Sequence, residues 1–158
     1  PSARGTIHGL TLDTTVPQLA RAVVEAAGFE FHKIIAALDR HGVRVDDLQV
    51  TGAGSENAEA LSARAAAAGT RLTPVARDAS ARGAAMLALR GLGADSSDLL
   101  VAPDPAAAAE PDPASGEWYA AQRAAYAALY DVTRGIAPHL ARPSWPTQKP
   151  PHQKENTK

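Results

Sequence analysis

The chain has 158 residues, with 16 Lys and Arg against 17 Asp and Glu and a formal net charge of -1. That length suits one domain with a core rather than two, and the near-neutral balance offers no basic field for nucleic acid. Cysteine is absent, which excludes disulfides and thiolate metal sites and permits a reducing cytoplasm, where the protein is expected.

No apolar run nears the roughly 20 residues of a membrane helix, so no membrane partner is expected. The first residues, PSARGTIHGL, lack an initiating Met and an apolar signal region, and suggest a piece of something longer. Aromatic residues make up 4% of the chain. Alanine-rich helices bury little area each, at about 25 cal/mol per Å². A neighbouring surface, or a second copy in a homodimer, is therefore expected to cover the domain.

In chain order, RGTIHGLTL (4–12) reads as a short strand edged by Gly5 and Gly9. A helix is predicted next, entered through a capping box of Thr15 and Gln18 with Pro17 in its first turn. Its apolar stripe runs Leu19, Val23, Ala27, Phe31, Ile34, Leu38, with Gly28 as a possible bend and Arg40–Gly42 as its stop. LQVTG is a second strand, Ser55–Ala68 a second helix closed by Gly69, and RLTPV a third strand ended by Pro74. ASARGAAMLALRGLG (79–93) reads as a helix, 95–115 as loop, and Gly116–Arg134 as a last helix with Trp118, Ala121, Ala125, Leu129 and Val132 on one face. Tyr119, Tyr126 and Tyr130 are read as packing residues. The tail, 141–158, is Pro- and Lys-rich and expected to be disordered. Alternating helices and strands point to an α/β layer, yet two or three short strands make a thin sheet.

The stretch TGAGSEN (51–57) joins a predicted strand to a helix. Gly52 and Gly54 leave the backbone bare where helix N–H groups favour an anion or a polar ligand edge. By itself the pattern leaves a plain chain reversal and a phosphate or nucleotide site equally open. No Gly-Lys-Ser/Thr follows, so it is not a Walker loop, and Ser55, Glu56 and Asn57 stand where a dinucleotide fingerprint places its third glycine. The five histidines lack the spacing of a zinc site. No metal ligand is assigned.

Four segments, in order, carry a resemblance. They are ARGTIHGLTLDTTVPQLARAVVEAAGFEFHKIIAAL, LQVTGAGSEN, ARDASARGAAMLAL and YAALYDVTRGIAPHL. Together they resemble the C-terminal part of the FGGY carbohydrate kinases, most closely the xylulokinases among them. The resemblance covers residues 1–140 and leaves 141–158 as a flexible tail. It implies an α/β fold, part of an actin-like (ribonuclease-H-type) ATPase domain with a small sheet and several helices. It implies ATP and Mg²⁺ as cofactors, with ATP and sugar held between two domains. Gly52, Ala53, Gly54 and Ser55 would then line the adenosine side, Asn57 would bond the adenine or ribose, and Gly83 and Ala84 would lie near the nucleotide. Two departures stand out: Ala53 replaces the middle one of three glycines, and ENAEAL lacks the family's Pro and Trp.

LDTT (12–15) is similar to an Asp-x-Gly-Thr-Thr phosphate loop of the same superfamily, but without its glycine it reads as a helix cap. In such kinases the phosphate loops, the sugar pocket and the general-base Asp lie upstream. No catalytic residue is therefore identified, and the chain alone is expected to be inactive. The alternatives are a non-catalytic nucleotide- or partner-binding module and a truncated product without a role of its own.

Overall fold

Thr15 opens the first helix through its N–H, which donates to Gln18 Oε1 at 2.8 Å, and its Oγ1 lies 3.0 Å from the same oxygen. The computed structural model describes residues 5–75 and 78–134. Its main elements are α1 (Val16–Asp39), β1 (Asp47–Val50), α2 (Ala58–Ala68), β2 (Arg71–Pro74), α3 (Ala79–Gly91) and α4 (Gly116–Thr133), with short 3-10 turns between them. The tail and the last residues of the YAALYDVTRGIAPHL segment lie outside the described residues.

β1 and β2 form a parallel pair, with Leu48 opposite Leu72 and Val50 opposite Pro74. Their connection is α2, as a parallel crossover requires. Leu72 and Ala109 exchange backbone bonds of 3.0 and 2.9 Å on the far side of β2, so the 95–115 region supplies one antiparallel bridge. The core sits under the crossover: Leu61, Ala65 and Leu72 are buried, with Phe31, Leu48, Val50 and Ala109 packed around them.

α1 and α2 meet at Gly28. A Cβ there would stand 2.6 Å from Arg64 O and 2.7 Å from Ala67 Cβ, so only hydrogen fits. Gly28 is thus a contact point between helices rather than a bend. The C-terminal turn of α2 is held from two sides. His32 Nδ1 on α1 is 2.9 Å from Ala68 O, and Arg123 Nη1 on α4 donates to the carbonyls of Ala66 and Ala67, each at 3.3 Å. These bonds use carbonyls that a helix end otherwise leaves bare.

Three expectations change. Residues 5–12 form no strand: the chain turns at Thr11–Thr14, where Thr14 N–H donates to Thr11 O at 3.1 Å, and Ile7 and His8 lie in a groove with Val23 and Trp118. A strand needs a pairing edge, and this segment lies along helices instead. On α1, Val23 and Ile34 of the expected stripe are exposed (66% and 56%), while Glu25 and Gly28 are buried. On α4, Trp118 and Val132 are exposed and Tyr119 is buried. Tyr119 and Tyr126 pack against Phe29, with ring centroids 6.4 and 5.1 Å apart, whereas Tyr130 is exposed. The inward faces are set by Glu25 and Tyr119, polar groups that find partners across the helix pair.

No described helix is long and apolar enough to cross a membrane.

Candidate functional site

The parallel pair puts both strand-to-helix connections at one edge of the sheet. Val50 runs into Thr51, Gly52 and a 3-10 turn at Ala53–Ser55, followed by Glu56, Asn57 and α2. Pro74 runs toward α3, and Val75 N–H donates to Val50 O at 2.9 Å, which ties the two exits together. Crevices outside the carboxyl ends of parallel strands are where ligands bind in open α/β sheets.

Gly52 sets the turn's shape. Its φ of 95° and ψ of 174° belong to a region essentially reserved for glycine. The space where its Cβ would stand is empty, so the requirement is conformational and leaves a bare approach to the backbone. Ser55, itself buried, donates both its N–H (3.0 Å) and its Oγ–H (2.8 Å) back to Gly52 O. In a 3-10 turn capped at Gly52, the N–H groups of Ala53 and Gly54 precede the first bond inside the turn. The Ala53 methyl lies outside the described side chains.

Asn57 caps α2, where its Oδ1 accepts from Ala60 N–H at 2.8 Å. Its Nδ2 hydrogens remain as donors. The helix therefore starts at Ala58, three residues later than the sequence pattern suggests, because the Ser55 hydroxyl belongs to the turn. Glu59 in the first turn of α2 already complements the helix dipole.

Arg64 was not foreseen. From α2 its guanidinium reaches back and donates through Nη1 to Gly54 O, and a Cβ on Gly54 would lie 2.7 Å from that nitrogen. The Nε of Arg64 is buried with no hydrogen-bond partner among the described residues. Arg64 follows the cap residue by seven positions, two helical turns, and that spacing is the signal that could have placed it above the turn.

Gly83 and Ala84 occupy α3, which has no buried residue, and the space beside Gly83 is open. Asp78 caps the start of α3, and its carboxyl is held below the usual carboxylate range, first by the Arg82 guanidinium at 2.9 Å. The site residues thus fall on two elements that leave the same sheet edge.

A second polar cluster links α1 to α4, and its Arg21 and Tyr119 line a cavity with Ala58 and Glu59 of the first turn of α2. Tyr119 O–H donates to Glu25 Oε1 at 2.7 Å. Arg21 donates to the same carboxylate oxygen at 2.7 Å and to Tyr119 Oη at 3.1 Å. Burial, then the bond to Glu25, pushes the Tyr119 phenol up, and the same Glu25 contact raises Arg21 further. All three groups are mutually satisfied. The cluster is a structural clamp.

Residues 1–92 match the model of the FGGY family of carbohydrate kinases, C-terminal domain. The chain belongs to this family. A glycerol kinase of Alkalilimnicola ehrlichii is 37% identical over 95 residues, 59% of this chain and 19% of that protein. Among solved structures, a xylulose kinase from Rhodospirillum rubrum is 29% identical with a TM-score of 0.70, and the alignment covers 87% of this chain and 29% of that one. A ligand-bound xylulose kinase from Lactobacillus acidophilus, 20% identical with a TM-score of 0.72 over 89% of this chain and 29% of its own, shares the fold. This FGGY domain therefore has the actin-like architecture of its kinase neighbours, and it spans about a fifth of the length of the curated relatives it matches.

Proposed function

We propose that this chain is the adenosine-binding portion of an ATP-dependent carbohydrate kinase. The whole enzyme would transfer the γ-phosphoryl group to a hydroxyl of a ketose or polyol such as xylulose. The observation that carries the reading is the bare turn at Gly52–Gly54, at the carboxyl edge of a parallel pair, in a domain of the FGGY family. The N–H groups of Ala53 and Gly54 face the adenosine, Ser55 braces them, and the Asn57 amide donates to the base or ribose. Gly83 and Ala84 on α3 give the nucleotide a small-residue wall.

The Asn57 amide and the backbone N–H groups of the turn suit the polar edge of a purine or ribose. Phosphate and Mg²⁺ then belong to other parts of the enzyme. Among the described residues no three His, Cys, Asp or Glu side chains converge to hold a metal ion, so no metal step is assigned to this chain. What these residues do is bind and orient. Phosphoryl transfer also needs the phosphates clamped and a base near the attacking hydroxyl, which the whole enzyme would supply.

The test is thermal unfolding of the purified chain with and without millimolar Mg-ATP. Ligand at about 100 times its Kd adds about 2.7 kcal/mol to the native state. An upward shift with ATP is expected, and a cooperative transition indifferent to ATP would refute the reading. Xylulose and ATP added to the chain alone should yield no sugar phosphate.

A further inference from the structure

The two glycines of the turn serve different purposes. Gly52 is needed for its φ of 95°, whereas Gly54 has no positive φ and asks nothing unusual of the backbone. What Gly54 provides is room. A Cβ there would lie 2.7 Å from Arg64 Nη1, 3.1 Å from Nη2 and 3.3 Å from Cζ, so the guanidinium takes the volume that any other side chain would need.

Stability alone explains this arginine poorly. Gly54 is exposed, so water would satisfy its carbonyl if Arg64 left it, and the net gain from such a bond is modest. Arg64 Nε is buried with no hydrogen-bond partner among the described residues, which is a cost. A polar atom buried at a cost calls for another role.

The peptide geometry supplies one. Arg64 Nη1 donates to Gly54 O, and Ser55 N–H, in the same peptide unit, donates to Gly52 O at 3.0 Å. A planar trans peptide held at both ends has a fixed orientation. Gly52 O also accepts from Ser55 Oγ at 2.8 Å, and it belongs to the peptide unit that carries Ala53 N–H. Two rigid planes therefore connect Arg64 to the N–H that opens the turn. The base of this strut is fixed as well. Arg64 O and Cα lie against Gly28 of α1, 2.6 and 3.1 Å from where a Cβ on that glycine would stand.

We infer that Arg64 is a positioning residue for the ligand of the turn: it fixes the Gly54–Ser55 and Gly52–Ala53 peptides, and so sets nucleotide affinity from α2 through the turn rather than by contact. The identity of the ligand rests on the nucleotide reading above. The hold of Arg64 on the turn does not.

The test is calorimetric titration of the full chain with Mg-ATP, beside thermal unfolding. Arg64→Met keeps the apolar stem and removes the donors together with the buried Nε. Its stability should stay close to the parent's, yet Mg-ATP should bind about tenfold more weakly, the equivalent of one misplaced hydrogen bond. Arg64→Lys keeps a donor of similar reach and should recover most of that loss. Gly54→Ala displaces the guanidinium and should weaken binding by a similar factor, and the double variant with Arg64→Met should be no weaker than either alone. Leu72→Val loosens the core away from the turn and should leave the Kd within about twofold of the parent's. Without nucleotide, amide exchange at Ser55 should be about tenfold faster in Arg64→Met than in the parent.

Mg-ATP binding by Arg64→Met as tight as the parent's would overturn the inference, as would a lysine variant no better than the methionine one, or losses at 54 and 64 that add. An Arg64→Met protein that no longer folds would also overturn it, since the arginine would then be structural. A parent indifferent to Mg-ATP in which Arg64→Met still speeds the Ser55 amide would refute the nucleotide reading and leave the hold of Arg64 on the turn standing. An unchanged Ser55 amide would refute that hold whether or not ATP binds.

Discussion

Gly28→Ala tests the packing of the domain at its tightest point. The new methyl would sit 2.6 Å from Arg64 O, 2.7 Å from Ala67 Cβ and 3.1 Å from Arg64 Cα. None of these atoms can rotate away, because two are main chain and the third is fixed to it. The helices must separate, and a gap of 0.5–1 Å already forfeits about a quarter to a half of each dispersion contact along the seam. Overpacking costs typically about 1–3 kcal/mol, occasionally more, and the better helix propensity of alanine returns about 1 kcal/mol. A net loss of about 1 kcal/mol is expected, and up to about 2 where the seam cannot relax, which lowers Tm by several degrees. Urea unfolding at 25 °C measures it, with an unchanged m-value as the check that both states keep their exposed surface. Gly116→Ala is the matched control. That residue has helical angles, φ -57° and ψ -47°, and open space beside it, so the same change should add about 0.4–1 kcal/mol. A Gly28→Ala protein as stable as the parent would refute the close approach of α1 and α2.

Other substitutions probe the turn and the clamp. Gly52→Ala meets no neighbouring atom, so its cost is backbone strain alone, about 1–3 kcal/mol by denaturation. Gly54→Ala displaces the Arg64 guanidinium, so in a double-mutant cycle with Arg64→Ala the two losses should fail to add by about 0.5 kcal/mol or more. Asn57→Ala should cost about 1 kcal/mol as a lost cap, whereas Asn57→Asp keeps the acceptor and should retain stability but reduce the Mg-ATP shift. Tyr119 has its phenol pKa raised in the folded protein, so its contribution is complete below the unfolded value of about 10 and is lost as pH rises through the folded value. Unfolding measured above pH 10 should show a stability decline that Tyr119→Phe diminishes; an identical decline in both proteins would refute it.

What was legible in the sequence was local. Thr15 and Gln18 form their capping box within one turn of chain, Gly69 ends α2 in the left-handed conformation, and Pro74 closes β2, each decided by neighbours in sequence. The candidate turn was legible for the same reason, since Gly52 and Gly54 mark it without help from tertiary contacts. The inward faces of α1 and α4 were legible only in part: Phe31 of the expected stripe packs on the core, and Leu19, Ala27 and Leu129 are half-buried. Periodicity nominated Val23, Ile34, Trp118 and Val132, but the buried positions are Glu25, Gly28 and Tyr119. Hydrophobic pattern cannot show that a carboxylate will be covered because a tyrosine and an arginine from two helices satisfy it, nor that a glycine faces inward because two backbones touch. Arg64 was hidden because its role at Gly54 depends on the 3-10 turn folding back beneath α2.

The bonds from His32 and Arg123 to the last carbonyls of α2 have a mechanical consequence. They fasten the far end of an 11-residue helix, and the helix carries the glycine turn on its near end. The helix is about 16 Å long and is also seated along its length, through Leu61 and Ala65 in the core and Gly28 of α1 against Arg64 and Ala67. A tilt of a few degrees at its root becomes an ångström at its tip, a displacement comparable to the tolerance of a hydrogen bond. Arg123 and His32 therefore join that packing in fixing the tilt of α2, and with it the position of the turn at its other end.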